Sequence, residues 1–336
     1  MKFLKRFFYG ILILFYGILI LLLTFVLLMF IPRIWSSMNP KKAPMGYYFP
    51  TPTIAAVYTG LESLIDKTPG VPENVEAIKN IEYKNINRQS LQMDFYIPKG
   101  LTKPAPLLVF IHGGGWRGGD RADYLVYLTH FAKLGYVTVT VSYRFLKVAP
   151  YPACVEDIID ARDFLYQNGD KYNYDPDRIC LIGGSAGSHL AMLAAYGWKK
   201  KGVGTDSIQA PVSKHKIKAV VEIYGPVDFT TEYARNHPTI TGFMVKSYKE
   251  APQLYVEASP ITYVTKDTPP TLILHGTRDM LVPIVQAEML KHKMDSLGVP
   301  NVYCPVPGWP HTMDIVQRVN NYTKATMFDF FEKYVK

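Results

Sequence analysis

Cysteine is scarce: Cys154, Cys180 and Cys304 are the only three in 336 residues. The odd number and the wide spacing exclude a disulfide framework and a cysteine-based zinc site, so buried free thiols are expected. Acidic residues are missing from the start of the chain. Lys2, Lys5, Arg6, Arg33, Lys41 and Lys42 occur before the first of them. The net charge of +9 therefore belongs largely to the N-terminal region; without those six, 31 basic residues face 28 acidic ones. No basic tract and no aromatic RNA-binding motif is present, which argues against nucleic acid as a partner. Internal repeats and low-complexity stretches are also lacking.

One long hydrophobic run is there. Residues 7–31, FFYGILILFYGILILLLTFVLLMFI, carry no charge. At 1.5 Å per residue they can cross a hydrocarbon core of about 30 Å. Trp35 follows where an interfacial anchor would sit. A signal peptide would have a shorter apolar region and a small-residue cleavage site; Ile31-Pro32-Arg33-Ile34-Trp35 is a poor one. The expectation is an uncleaved single-pass anchor contacting the bilayer through residues 7–31. Lys2, Lys5 and Arg6 favour a cytoplasmic N-terminus and an extracytoplasmic C-terminal domain, with Arg33, Lys41 and Lys42 as the counterweight.

The chain divides into residues 1–35, an anchor with flanks, residues 36–80, a proline-punctuated linker with a helix over 54–65, and one large domain over 81–336. Residues 81–86 and 91–97 alternate apolar and polar around Asn87-Arg88-Gln89, the pattern of a half-exposed hairpin. Continuous apolar runs follow at 107–111, 136–141, 179–182, 217–223 and 271–274, with a shorter one at 302–306. Helical patterns at 124–134, 154–167, 185–196, 284–297 and 312–334 separate most of them. That alternation predicts an α/β fold: a mostly parallel, mixed sheet of about eight strands covered by helices on both faces. Residues 228–263 interrupt it and are expected to supply one wall of a substrate pocket.

Three motifs carry chemistry. Gly183-Gly184-Ser185-Ala186-Gly187 joins an apolar strand to a helix, the setting of a nucleophile elbow with Ser185 at its tip. His112-Gly113-Gly114-Gly115-Trp116 ends an earlier strand. Glycine lets backbone N–H groups face a ligand, so Gly114 and Gly115 are expected to form an oxyanion hole with Ala186, Gly113 being the alternative to Gly115. His112 is expected to be structural and Trp116 to bind substrate. A serine nucleophile needs a base and an orienting acid, here in the order Ser, acid, His. Asp279, on the loop after the 271–274 strand, and His311, after the 302–306 strand, fit those places. Asp228 and Asp314 are weaker rivals for the acid. His275 is expected to pack beneath the acid loop.

Together these residues resemble the esterase/lipase branch of the α/β-hydrolase superfamily. The likeness is to hormone-sensitive-lipase-like enzymes, and more closely to bacterial feruloyl/acetyl-xylan-esterase-like enzymes and kynurenine formamidases. Tyr143-Arg144, Tyr151-Pro152-Ala153 with Asp157, residues 174–178, Ser259-Pro260 and residues 269–276 extend it. The resemblance implies an α/β-hydrolase fold, a Ser185–His311–Asp279 triad and ester hydrolysis without metal or organic cofactor. The expected partner is a small-molecule carboxylic ester with a small to medium acyl group. Amide or formamide hydrolysis on the same triad is the near alternative, and a non-catalytic membrane-anchored recognition domain the distant one. Two departures, Ser188 in place of a glycine and the bulky Gly308-Trp309-Pro310 before His311, are expected to alter the acyl pocket. Oligomeric state is left open.

Overall fold

The structure is a computed structural model that describes residues 2–198 and 215–336. It begins with a long helix, α1 (Lys2–Met38), then a short one, α2 (Pro50–Tyr58). The hairpin β1 (Val75–Ile86) and β2 (Gln89–Pro98) follows. Next come β3 (Ala105–Ile111), α3 (Leu125–Lys133), β4 (Val137–Val141), α4 (Ala153–Gln167) and α5 (Gly169–Tyr172). The elbow region is β5 (Tyr174–Gly184) and α6 (Ala186–Tyr196), followed by β6 (Ala219–Ile223). Three short helices, α7 (Glu232–Asn236), α8 (Pro238–Met244) and α9 (Pro252–Glu257), precede β7 (Thr271–Gly276). The chain closes with α10 (Val285–Ser296), β8 (Asn301–Val306) and α11 (Gln317–Tyr334).

The eight strands form one sheet in the order β1-β2-β4-β3-β5-β6-β7-β8. β1 pairs antiparallel with β2 and β2 with β4; the other pairings are parallel. Asn87 and Arg88 both take positive φ, 50° and 64°, the two-residue turn that suits the twist of a hairpin. Every residue of β3, β4, β6 and β7 is buried. Leu107, Val109 and Ile111 face one core and Leu108 and Phe110 the other. Burying each such side chain contributes roughly 1.5–3 kcal/mol, which is why unbroken apolar runs fold as interior strands. β4, Val-Thr-Val-Thr-Val, is covered throughout; Thr138 is accommodated by donating to the Leu128 carbonyl at 3.0 Å. Cys154 and Cys180 are buried free thiols and Cys304 is half-buried.

Residues 36–80 differ from the expectation. Their helix spans Pro50–Tyr58, where Pro50 and Pro52 supply the φ of a first turn and Gly60, at φ 74°, follows the end. Leu64 and Ile65 instead pair with Val316 and Ile315 beside the last helix. Tyr47 and Ala56 join a sheet-facing core, and Glu62 is buried, accepting from Tyr47 Oη at 2.7 Å and from Arg318 Nε at 2.8 and 2.9 Å. This segment is folded onto the domain, not strung out as a linker.

The end of α1 is docked as well. Lys5 to Leu28 is exposed, whereas Met29 and Pro32 are buried. Ser36 Oγ accepts from Arg318 at 2.9 Å, and Arg33 donates to the Leu61 carbonyl. The exposed part alone, at 1.5 Å per residue, covers roughly 35 Å. α11 starts later than expected, because Thr312 takes φ 55° and residues Met313–Ile315 form a single tight turn.

Candidate active site

The elbow is built by close approach. A Cβ at Gly183 would lie 2.3 Å from the Gly187 backbone, and one at Gly187 would lie 2.0 Å from the Ile111 carbonyl oxygen. Only glycine fits either place. Ser185 between them holds φ 56° and ψ −122°, a sparsely populated conformation that such packing enforces. Its N–H donates to the Ile223 carbonyl at 2.9 Å, which fixes the turn at the carboxyl end of the sheet.

His311 Nε2 is 3.0 Å from Ser185 Oγ, and His311 Nδ1 is 2.6 Å from Asp279 Oδ2. The structure thus brings all three expected residues into one hydrogen-bonded chain. Asp279 is buried and its Oδ1 accepts the N–H groups of Leu281 and Val282 at 2.9 and 2.8 Å. Burial alone would raise its carboxyl, but His275 and His311 hydrogen-bond to the anion and bring it down to about 2. His275 lies beneath the loop as expected, with Nε2 2.8 Å from the Val282 carbonyl and 3.4 Å from Asp279 Oδ2.

The rival acids have other partners. Asp228 caps a turn, accepting from Thr230 N and Oγ1 at 2.8 and 2.7 Å. Asp314 is buried among tyrosines and accepts from Tyr224 at 2.5 Å and Tyr127 at 3.0 Å. Tyr224 in turn lays its ring 4.6 Å from that of His311.

The glycine loop lies beside Ser185. A Cβ at Gly113 would be 2.9 Å from the Gly184 carbonyl oxygen and 3.4 Å from Ser185 Cβ. Gly114 and Gly115 take φ 106° and 59°. Their N–H groups donate to no backbone acceptor among the described residues. His112 is buried against Tyr143, rings 4.4 Å apart, and Tyr143 Oη donates to the His112 carbonyl at 2.9 Å. Burial lowers its pKa and keeps it neutral, in a structural place. Tyr143-Arg144 and Asp157 also serve architecture: Arg144 grips Asp157 with Nε and a terminal nitrogen at 2.7 and 2.8 Å.

Trp116, expected to meet substrate, is 3 % exposed. Its φ is 58°, and its ring stacks on Phe243 at 4.1 Å and meets His189 and Phe229 edge-on. It therefore packs into the core directly after the glycine loop. Phe229 and Phe243 come from the 228–263 excursion, and Thr239 Cγ2 sits 3.0 Å from where a Gly115 Cβ would be, so that excursion does wall the loop. Trp309 is fully buried. It donates from Nε1 to the Pro44 carbonyl at 2.9 Å and meets Tyr47 edge-on. Its bulk thus packs on the N-terminal segment.

The N-terminal segment also reaches the loop of His311 directly. Gly46 N donates to Pro307 O at 2.6 Å and Tyr48 N to Gly308 O at 3.1 Å. A Cβ at Gly46 would lie 2.5 Å from the Gly308 carbonyl group, backbone against backbone. Gly46→Ala is expected to displace the loop that carries His311, at a cost of about 1–3 kcal/mol. Thermal melting and kcat of the variant check this; wild-type values for both would show that the contact does not position the loop.

Glu222 was not anticipated. It sits wholly buried in β6, accepting from Ser188 Oγ at 3.3 Å and from Gly225 N. Ser188, one of the two departures, thus meets a buried acid. A lone acid within the apolar run Ala219-Val220-Val221-Glu222-Ile223 was the available signal. Burial, with the charge of Asp279, pushes its carboxyl up to about 7 despite His275 and the two hydrogen bonds. A raised acid contributes stability that is full below about 4.5 and lost as pH climbs through 7. Wild type is therefore expected to lose up to about 3 kcal/mol between pH 5 and pH 8 that Glu222→Gln does not lose. Urea melts at the two pH values check this, and parallel pH profiles would refute it.

Residues 93–294 match the BD-FAE family. The chain belongs to that family, within the esterase/lipase branch of the α/β-hydrolase superfamily. The matched stretch includes the glycine loop, Ser185 and Asp279; His311 lies beyond it. Among curated proteins the chain is similar to the probable carboxylic ester hydrolase LipM of Mycobacterium tuberculosis, 32% identical over 64% of this chain and 51% of that protein. It is also similar to esterase LipC of the same organism, 33% identical over 64% and 55%. The chain thus spans about half the length of the curated relatives it matches. Among solved structures it resembles a truncated carbohydrate esterase from gut microbiota, with a TM-score of 0.63 at 25% identity over 79% of this chain and 99% of that one. Thermogutta terrifontis esterase 2, at 21% identity and a TM-score of 0.65, covers 80% of this chain and 97% of its own and shares the fold.

Proposed function

We propose that this chain is a serine hydrolase of carboxylic esters, held at a membrane by α1. The observation that carries this reading is the chain of hydrogen bonds from Ser185 through His311 to a buried, ionised Asp279. With its Nδ1 proton donated to Asp279, His311 presents a bare Nε2 to Ser185 Oγ–H. Ser185 Oγ attacks the ester carbonyl as Nε2 takes its proton. The tetrahedral oxyanion accepts hydrogen bonds from the N–H groups of Ala186, Gly114 and Gly115, each such donor being worth about 3 kcal/mol of barrier. His311 then returns the proton to the leaving alcohol, and water resolves the acyl-enzyme by the reverse sequence. Asp279 keeps the imidazole in the one useful tautomer and stabilises its cation.

Small to medium acyl esters are the proposed soluble substrates, which the esterase relatives support. A panel of p-nitrophenyl esters from acetate upward tests this beside N-formylkynurenine and a dipeptidyl amide. Turnover of the esters is expected, and turnover of the amides alone would overturn the ester reading. The length and exposure of α1 support a membrane anchor. Retention in the membrane after carbonate extraction, and digestion of the domain by protease added outside intact cells, are expected. A mature chain starting near Ser36 would show instead that α1 is a cleaved signal.

A further inference from the structure

The anchor joins the domain on the edge of the sheet where the triad lies. α1 ends against Arg318, in the first turn of α11, directly after the loop of His311. From there the chain runs back over that loop, and Tyr48 seats its ring under the guanidinium of Arg278, 5.3 Å away and next in sequence to Asp279. Met29, still inside the apolar run, is already buried against the domain. A bilayer around residues 7–28 would therefore begin where the domain begins, near the loop that follows β8.

A second apolar surface continues from the first. α2 buries Pro52 and Ala56 and exposes Pro50, Ile54 and Tyr58, spaced four apart on one face, with Phe49 exposed just before them. Ile54 and Tyr58 are 56 % and 88 % exposed. The acid loop adds Met280 and Leu281, also exposed, immediately after Asp279. Lys41 and Lys42, exposed between the two helices, are placed for phosphate head groups.

We propose that α2 lies in the membrane interface with its Pro50–Ile54–Tyr58 face and the preceding Phe49 in lipid, and that the active-site entrance consequently opens onto the bilayer. Resting on the ester-hydrolase reading above, this assigns the substrate class: acyl esters dissolved in the membrane, entering past Met280 and Leu281. The hydrolysed acid and alcohol leave by the same face.

The test uses the full-length chain in phosphatidylcholine vesicles. Tyr58→Trp adds a fluorophore expected to be quenched by brominated acyl chains, beyond the quenching of the parent protein. Absence of added quenching overturns the proposal, as does efficient disulfide formation between copies carrying Ile54→Cys, which would assign the face to a second copy of the chain. In the variant Phe49→Glu/Ile54→Glu/Tyr58→Glu, hydrolysis of p-nitrophenyl palmitate carried in the vesicles is expected to fall roughly tenfold, while that of p-nitrophenyl acetate in water stays within about twofold. Equal loss of both activities, or loss of neither, overturns it. If the parent protein hydrolyses neither ester, the ester-hydrolase reading fails and takes the substrate assignment with it, while the quenching result still decides where α2 lies.

Discussion

Ser185→Ala is expected to lower kcat on p-nitrophenyl acetate by about 10⁵-fold, with KM little changed. Losing the nucleophile alone removes nearly all that a Ser–His–acid unit supplies, because the three act together. The fold should survive. Ser185 is held at φ 56° by its glycine neighbours, and alanine has the same steric demand on the backbone. The Ser185 N–H bond to Ile223 is untouched by the change. Circular dichroism and thermal melting of the variant separate a lost nucleophile from a lost fold. A variant that keeps even a tenth of the activity would place the chemistry elsewhere.

Asp279→Asn is expected to cost roughly 10³- to 10⁴-fold in kcat. Asparagine can keep its Oδ1 as acceptor for Leu281 and Val282 and so hold the loop. Its amide group then faces His311 Nδ1 as a donor where the carboxylate accepted. The imidazole must present a lone pair at Nδ1 and a proton at Nε2, which leaves nothing to take the Ser185 proton. Asp228→Asn and Asp314→Asn are the controls, each expected to stay within about tenfold, because neither carboxylate touches His311. A larger loss at Asp228 than at Asp279 would move the acid to the loop after β6.

The parts of the fold legible in the sequence are those specified locally. Apolar runs long enough for a strand and bounded by helical periodicity marked β3 to β8. Gly183 and Gly187 flanking Ser185 marked the elbow, because that turn admits nothing larger. The proposed triad could be read from the order of its loops along the chain, although its members lie far apart in sequence: Ser185 and His311 are separated by 126 residues.

What escaped depends on contacts that no local pattern carries. Pro44 receives the Trp309 N–H across 265 residues, and nothing near either residue announces the other. Prolines spaced through residues 36–80 read as a linker, yet they let that stretch fold closely onto the His311 loop. The burial of Trp116 depends on Phe229 and Phe243, which lie more than a hundred residues away in sequence. Glu222 stood out as a charge within an apolar strand, but its setting required Ser188, Gly225 and His275 to be brought around it.

The most direct measurement is to react the purified protein with a fluorophosphonate and map the adduct by peptide mass spectrometry. A single covalent phosphonyl group on Ser185, absent from the Ser185→Ala variant and formed far more slowly in Asp279→Asn, is the predicted result. Protein that stays unmodified while hydrolysing esters, or an adduct on another residue that abolishes activity, would contradict the assignment of Ser185 as nucleophile.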